Sequence, residues 1–245
     1  MTAPVARMRA VFFDFAGTLF SARDLRASHL AQLRAVADAV GVEPSDDDLR
    51  AAYRHGVGVA YRAIATQPYY LHRELFSRSF AGMADALGGS LDDAACDALV
   101  DRQYASTLEA TTLRPDCLDT LTALRARGIR VQIVSNIDDE QLDGLVATLG
   151  LDAVVDTWTS SESARSCKPD ARIYQVALAA AGCEPTEVLF VGDTVDHDVV
   201  GPRAQGLRSA LLVADARPDA PDGGADFVIE RLGELIDLVD RELAA

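Results

Sequence analysis

The apolar run Val11-Phe12-Phe13 stops at Asp14, and Phe15-Ala16-Gly17-Thr18 follows it. A carboxylate at the end of a buried strand can ligate magnesium, attack an electrophile, or do both. Polar groups interrupt apolar runs at three further places in the 245-residue chain. Ser135-Asn136 follows Ile129–Val134, and Lys168-Pro169 precedes a helix starting near Asp170. Gly192-Asp193-Thr194-Val195-Asp196-His197-Asp198 follows Val188–Val191. Among 23 basic residues Lys168 is the only lysine, so any step that needs an amine must use it. Asp14, Asp193 and Asp198 offer the hard oxygens that Mg²⁺ prefers. Ser135 and Lys168 offer donors for a negatively charged oxygen.

Such groups act together only if the fold gathers them, and the strand ends of a parallel sheet lie on one edge. From Arg114-Pro115 onward helix and strand patterns alternate: helices at 116–127, 138–149, 170–181, 197–205 and 231–243. Strands fall between them at 129–134, 154–158, 188–191, 209–213 and 227–229. This alternation predicts an α/β fold, a Rossmann-like parallel sheet with helices on both faces. Between Phe20 and residue 112 the pattern is purely helical, with segments near 23–40, 46–65, 69–87 and 91–109. Ser45-Asp46-Asp47-Asp48 reads as a helix start, with carboxylates in its first turn. Gly56 and Gly58 are expected to kink or break the second segment. The expected organisation is a catalytic core of residues 1–20 and 112–245. A helical cap, 21–111, is inserted just after Asp14 as a lid. Arg217–Gly224 reads as a surface loop rich in Pro, Asp and Gly.

The formal charge of −15 argues against a nucleic-acid partner, which needs clustered basic residues. It leaves room for a small phosphorylated molecule, because a metal and one local cation can reverse the field. No run approaches membrane-spanning length. Cys96, Cys117, Cys167 and Cys183 show no metal or disulfide spacing, which predicts reduced thiols and a cytoplasmic location.

Taken in order, the four strand-end motifs resemble those of the haloacid dehalogenase-like hydrolase superfamily. Asp14-Phe15-Ala16-Gly17-Thr18 matches the first motif except at Ala16. Ser135 matches the second, Lys168 the third, and Gly192-Asp193 with Asp198 the acidic fourth. The resemblance implies a phosphohydrolase in which Asp14 forms an aspartyl-phosphate and Mg²⁺ is the cofactor. Asp14, Asp193 and the Ala16 carbonyl would hold the metal, with Asp198 orienting its water. Thr18, Ser135, Asn136 and Lys168 form the expected phosphate-binding set, Thr18 also fixing the loop that Gly17 lets turn. Asp196 and His197 read as loop residues.

Ala16 is the departure. Phosphatases of this family usually carry an aspartate there, which protonates the leaving oxygen, an effect worth roughly 10²–10⁴-fold. Four readings stay open. One is a phosphohydrolase whose leaving group needs little protonation or finds another acid, with His29, His55, His72, Tyr69 and Tyr70 as cap candidates. Phosphonoacetaldehyde hydrolase shares the alanine, but its Schiff base needs a cap lysine, and no lysine precedes Lys168. A haloacid dehalogenase works without metal and typically lacks the acidic fourth motif. The last is a weak or inactive member that binds a ligand or a protein. Arg23, Arg26, Arg54, Arg62 and Arg73 face either the site or solvent, and the substrate is not legible.

Overall fold

The computed structural model describes residues 7–64, 67–216 and 220–244. Residue 65 of the expected second helix and residues 217–219 of the expected loop lie outside them. Contacts divide the chain into two compact units, Met1–Ala22 with Thr112–Ala245, and Arg23–Thr111.

The chain opens on β1 (Ala10–Phe13), every residue of which is buried. It then runs through α1 (Arg26–Ala39), α2 (Asp46–Ile64), α3 (His72–Ala86) and α4 (Asp93–Ala110). Returning, it forms α5 (Cys117–Ala126), β2 (Arg130–Ser135), α6 (Asp139–Thr148), β3 (Thr157–Ser160) and α7 (Ser161–Ala164). The remainder is α8 (Ala171–Ala181), β4 (Val188–Gly192), α9 (Gly201–Ala204), β5 (Arg208–Leu212), β6 (Phe227–Ile229) and α10 (Glu234–Ala244). The six strands form one parallel sheet in the order β3-β2-β1-β4-β5-β6. The fold is therefore α/β and Rossmann-like. The strand order reverses between β1 and β4, where open α/β sheets leave a crevice at their carboxyl ends. Phe13 pairs with both Ile133 and Val191, so Asp14, Ser135 and Asp193 leave the sheet at nearly the same height.

One side of the sheet unit is held by a cluster that joins Phe12, Val134 and Phe190 to Ile173, Tyr174 and Ala177 of α8. The chain leaves and re-enters this unit side by side. Phe20 and Leu113 form an antiparallel bridge, and the Arg114 amide donates to Leu19 O at 2.8 Å. No helix among the described residues is long and apolar enough to cross a membrane.

Several expected boundaries move for physical reasons. The strand expected at 154–158 begins only at Thr157, because residues 151–153 form a 3₁₀ turn. Asp156 then caps the neighbouring strand, accepting from the Val131 amide at 2.8 Å. The helix expected at 197–205 is a π-helical turn, Val195–Val200, running into the short α9. Asp198 opens that turn by accepting from the Thr194 amide at 2.9 Å. The third helix starts at His72 rather than residue 69.

Of the expected kink or break at Gly56 and Gly58, the break does not occur: α2 is continuous. Gly56 is there because α3 passes against it. A Cβ on Gly56 would lie 2.1 Å from Ser79 O, and one on Gly82 would lie 2.9 Å from the Gly56 Cα. The helices meet backbone to backbone, so the missing side chains serve packing. The helical unit closes over its own core, which includes Leu33, Val36, Leu49, Phe80, Met83 and Val100.

Candidate active site

Asp14 continues β1 by one residue, its amide donating to Val191 O of β4 at 2.8 Å. That bond turns its buried carboxylate toward the crevice. Ser135 ends β2, and its hydroxyl donates to Asp14 Oδ1 at 3.2 Å. Lys168 lies just before α8, and its Nζ donates to Asp14 Oδ1 at 2.6 Å and Asp198 Oδ1 at 2.7 Å. The ammonium also sits 5.2 Å from the Phe190 ring centroid, a favourable cation–π contact. Ser135 and Lys168 both donate to Oδ1 of Asp14, which leaves Oδ2 facing the crevice for another partner.

Beside them the loop after β4 carries Asp193, half-buried, whose Oδ1 accepts from Thr18 Oγ1 at 3.3 Å. Gly17 makes this approach possible. Its φ is +90°, and a Cβ there would stand 2.3 Å from Asp193 Oδ2. Gly192 does the same for Asp198, whose Cγ lies 2.2 Å from the Cβ position. One carboxylate oxygen each from Asp14, Asp193 and Asp198 lies within 4.8 Å of the others.

Three carboxylates share one ammonium in a largely dry crevice, and their protonation reflects that imbalance. Burial, then the Asp14 charge, pushes Asp193 up to about 6. Burial also raises Asp198, against the pull of Lys168. For Lys168 burial favours the neutral amine, yet Asp14 and Asp198 together outweigh it and hold the pKa above the usual value. An ammonium held by two carboxylates stays charged, so it serves as a fixed cation rather than a base. The donor set is all oxygen and anionic, which suits a hard divalent cation such as Mg²⁺ and does not suit a soft metal.

The structure thus brings Asp14, Thr18, Ser135, Lys168, Asp193 and Asp198 together. Asn136, expected in the phosphate-binding set, lies beside Lys168. Its Oδ1 accepts from the Lys168 amide at 2.6 Å and its Nδ2 donates to Lys168 O at 3.1 Å. These two bonds tie Asn136 to the lysine's backbone and position Lys168, while the Nδ2 group keeps a second N–H. The Ala16 side chain is exposed and offers no proton. Asp196 is exposed, whereas His197 is half-buried instead of lying on an open loop. Its carbonyl accepts from Tyr174 Oη at 2.5 Å, which ties the π-helical turn to α8.

Arg114 escaped sequence reasoning, which used it only to mark the start of the alternating pattern. Its guanidinium donates to Thr18 O at 2.9 Å, to Gly17 O at 2.6 Å and to Asp215 Oδ2 at 2.7 Å. It therefore pins the loop that carries Thr18. No periodicity signals a half-buried arginine whose partners are carbonyls about a hundred residues earlier.

The profile described as a haloacid dehalogenase-like hydrolase matches residues 8–206. The human haloacid dehalogenase-like hydrolase domain-containing protein 3 is 33% identical over 215 residues, covering 84% of this chain and 82% of that protein. Ribulose-1,5-bisphosphate 5-phosphatase from Halopiger xanaduensis is 31% identical over 150 residues, 58% of this chain and 63% of that enzyme. Among solved structures, a dehalogenase superposes with a TM-score of 0.69 at 27% identity, covering 94% of this chain and 96% of its own. With four motifs at one sheet edge and a profile match across most of its length, this chain belongs to the haloacid dehalogenase-like hydrolases.

Proposed function

We propose that the protein is a Mg²⁺-dependent phosphohydrolase of a small phosphorylated metabolite, working through an aspartyl-phosphate on Asp14. The observation that carries this reading is the acidic trio around the sole lysine. Asp14 and Asp193, with the Ala16 carbonyl and with Asp198 behind them, would hold Mg²⁺, which supplies charge neutralisation to the phosphoryl oxygens. A carboxylate oxygen of Asp14 attacks phosphorus, and the bond from phosphorus to the ester oxygen breaks. Ser135 donates to a phosphoryl oxygen, and Lys168 offsets charge as it shifts onto the transferred group. The leaving oxygen takes its proton from solvent or from the substrate, since Ala16 has none to give. Water then attacks phosphorus, releasing orthophosphate and freeing the Asp14 carboxylate. The helical unit acts as the cap that admits substrate and excludes bulk water. Four buried free cysteines suit a reducing compartment such as the cytoplasm.

The missing acid selects substrates with a stable leaving group, such as acyl or aryl phosphates. The phosphatase among its relatives supports phosphoryl chemistry, and the dehalogenase structure keeps a second reading in view. Ala16 fits both; the acidic residues 193 and 198 favour the metal-dependent one.

Acetyl phosphate and p-nitrophenyl phosphate, assayed across a Mg²⁺ titration, test the proposal. Turnover should require Mg²⁺ and vanish in Asp14→Asn. Halide release from 2-chloropropionate in a chelator would establish the dehalogenase instead. Silence on all three substrates would leave a binding module.

A further inference from the structure

Within the helical unit, α1 and α2 border a cleft of about 340 Å³. Leu30, Leu33, His29 and Tyr53 form its floor, with the last two rings meeting edge to face at 4.8 Å. Leu33 belongs to the buried core of the unit, so the floor is firm. Arg26 and Arg54 stand exposed at the rim, and neither makes an ion pair among the described residues. The neighbouring arginines are spent: Arg50 pairs with Asp47, Arg34 with Asp46, Arg73 with Asp101 and Arg78 with Glu74. Two unmatched guanidinium groups around an apolar hollow are notable on a chain of net charge −15.

We propose that this cleft binds a small amphipathic organic anion, its hydrocarbon body on the Leu30–Leu33–Tyr53 floor and its charged group held by Arg26 and Arg54. The volume lies within the range of small-molecule sites, which are mostly apolar with a few placed polar groups. Burial lowers the His29 pKa, so at neutral pH the ring is an uncharged wall. Burial, followed by the Tyr61 charge, raises Tyr53 to about 12, which keeps its hydroxyl a donor toward an anion. Arginine suits the role because its planar fork matches a carboxylate and its weak hydration lets it sit beside apolar surface. The proposal uses none of the acidic-edge residues Asp14, Ser135, Lys168, Asp193 and Asp198.

Calorimetric titration of the full chain with 2-naphthoate and with its neutral analogue 2-naphthamide tests the proposal. The carboxylate should bind roughly tenfold more tightly than the amide, the yield of two rim contacts at exposed positions. Arg26→Ala with Arg54→Ala should remove that advantage and leave amide binding unchanged. Leu30→Gln should weaken both ligands alike. Arg7→Ala with Arg130→Ala deletes the same charge from a separate cleft in the sheet unit, and should leave naphthoate binding intact. Equal binding of acid and amide overturns the proposal, as does undiminished binding in the rim variant. Equal loss in the control variant, or no heat up to the solubility of naphthoate, overturns it as well.

Discussion

Replacing Lys168 by methionine keeps most of the side chain's length and bulk and deletes its charge together with its hydrogen bonds to Asp14 and Asp198. In the wild type the ammonium lies 2.6 Å from Asp14 and 2.7 Å from Asp198, with side-chain exposures of 2%, 10% and 1%. Without it, two carboxylates face each other in a dry crevice with Asp193 close by. Stranding one partner of a buried ion pair costs roughly 3–5 kcal/mol. Proton uptake by the raised Asp198 limits the damage, which places the cost of Lys168→Met at about 3 kcal/mol. For a unit of this size 1 kcal/mol moves the melting temperature by about 2–4 °C, so a drop of about 6–12 °C is expected. Asp14→Asn and Asp198→Asn each leave the lysine one carboxylate, so both should cost less. The chain has a single tryptophan, Trp158 in β3, so its fluorescence follows the sheet unit alone. Melts should be run in a chelator, then repeated with Mg²⁺, which should stabilise Lys168→Met more than wild type. A Lys168→Met variant melting within about 2 °C of Asp198→Asn would refute the charge-balance reasoning.

Gly56→Ala should destabilise the protein by about 1–2 kcal/mol, the overpacking against Ser79 O exceeding the helix propensity gained. Gly58→Ala meets only the tip of Arg62 at 3.4 Å and should stabilise by about 0.5–1 kcal/mol, both read by denaturant melts. Ala16→Asp restores a carboxyl at an exposed position and should speed alkyl phosphate hydrolysis by roughly 10²–10⁴-fold, with less than about tenfold for p-nitrophenyl phosphate. Equal gains on both substrates in steady-state assays would mean that position 16 is not where the leaving group departs. For His29 the folded pKa lies below the ordinary 6.5, so the unfolded chain binds more protons. Its stabilising effect is complete above 6.5 and is lost as pH falls from there through the folded value. Arg26, Arg50 and Arg54 line the same cleft. His29→Gln should therefore lose less stability than wild type between pH 7 and 5, measured by denaturant melts at each pH.

The sheet and its acidic edge were legible because buried strands and surface helices leave different periodicities, and because β1, β2 and β4 run into Asp14, Ser135 and Asp193. Asp14, Ser135, Lys168 and Asp193 needed no knowledge of distant partners. What could not be read depends on such partners. Gly56 looks like a helix breaker until Gly82 is seen against it, and no spacing in the sequence shows that the Asn136 amide bonds the backbone of Lys168 at both ends. The stretch Val195–Val200 winds as a π-helical turn, with Asp198 accepting from the Thr194 amide before it. A 3.6-residue pattern cannot announce that.

The pairing of Phe20 with Leu113 has a wider consequence. Everything between those two residues is tethered through one narrow doorway whose posts already touch. Since closure entropy grows only with the logarithm of loop length, the β-layer is nearly indifferent to how much chain hangs there. The helical cassette can therefore be exchanged, enlarged or redesigned for new ligands while the acidic edge keeps its geometry.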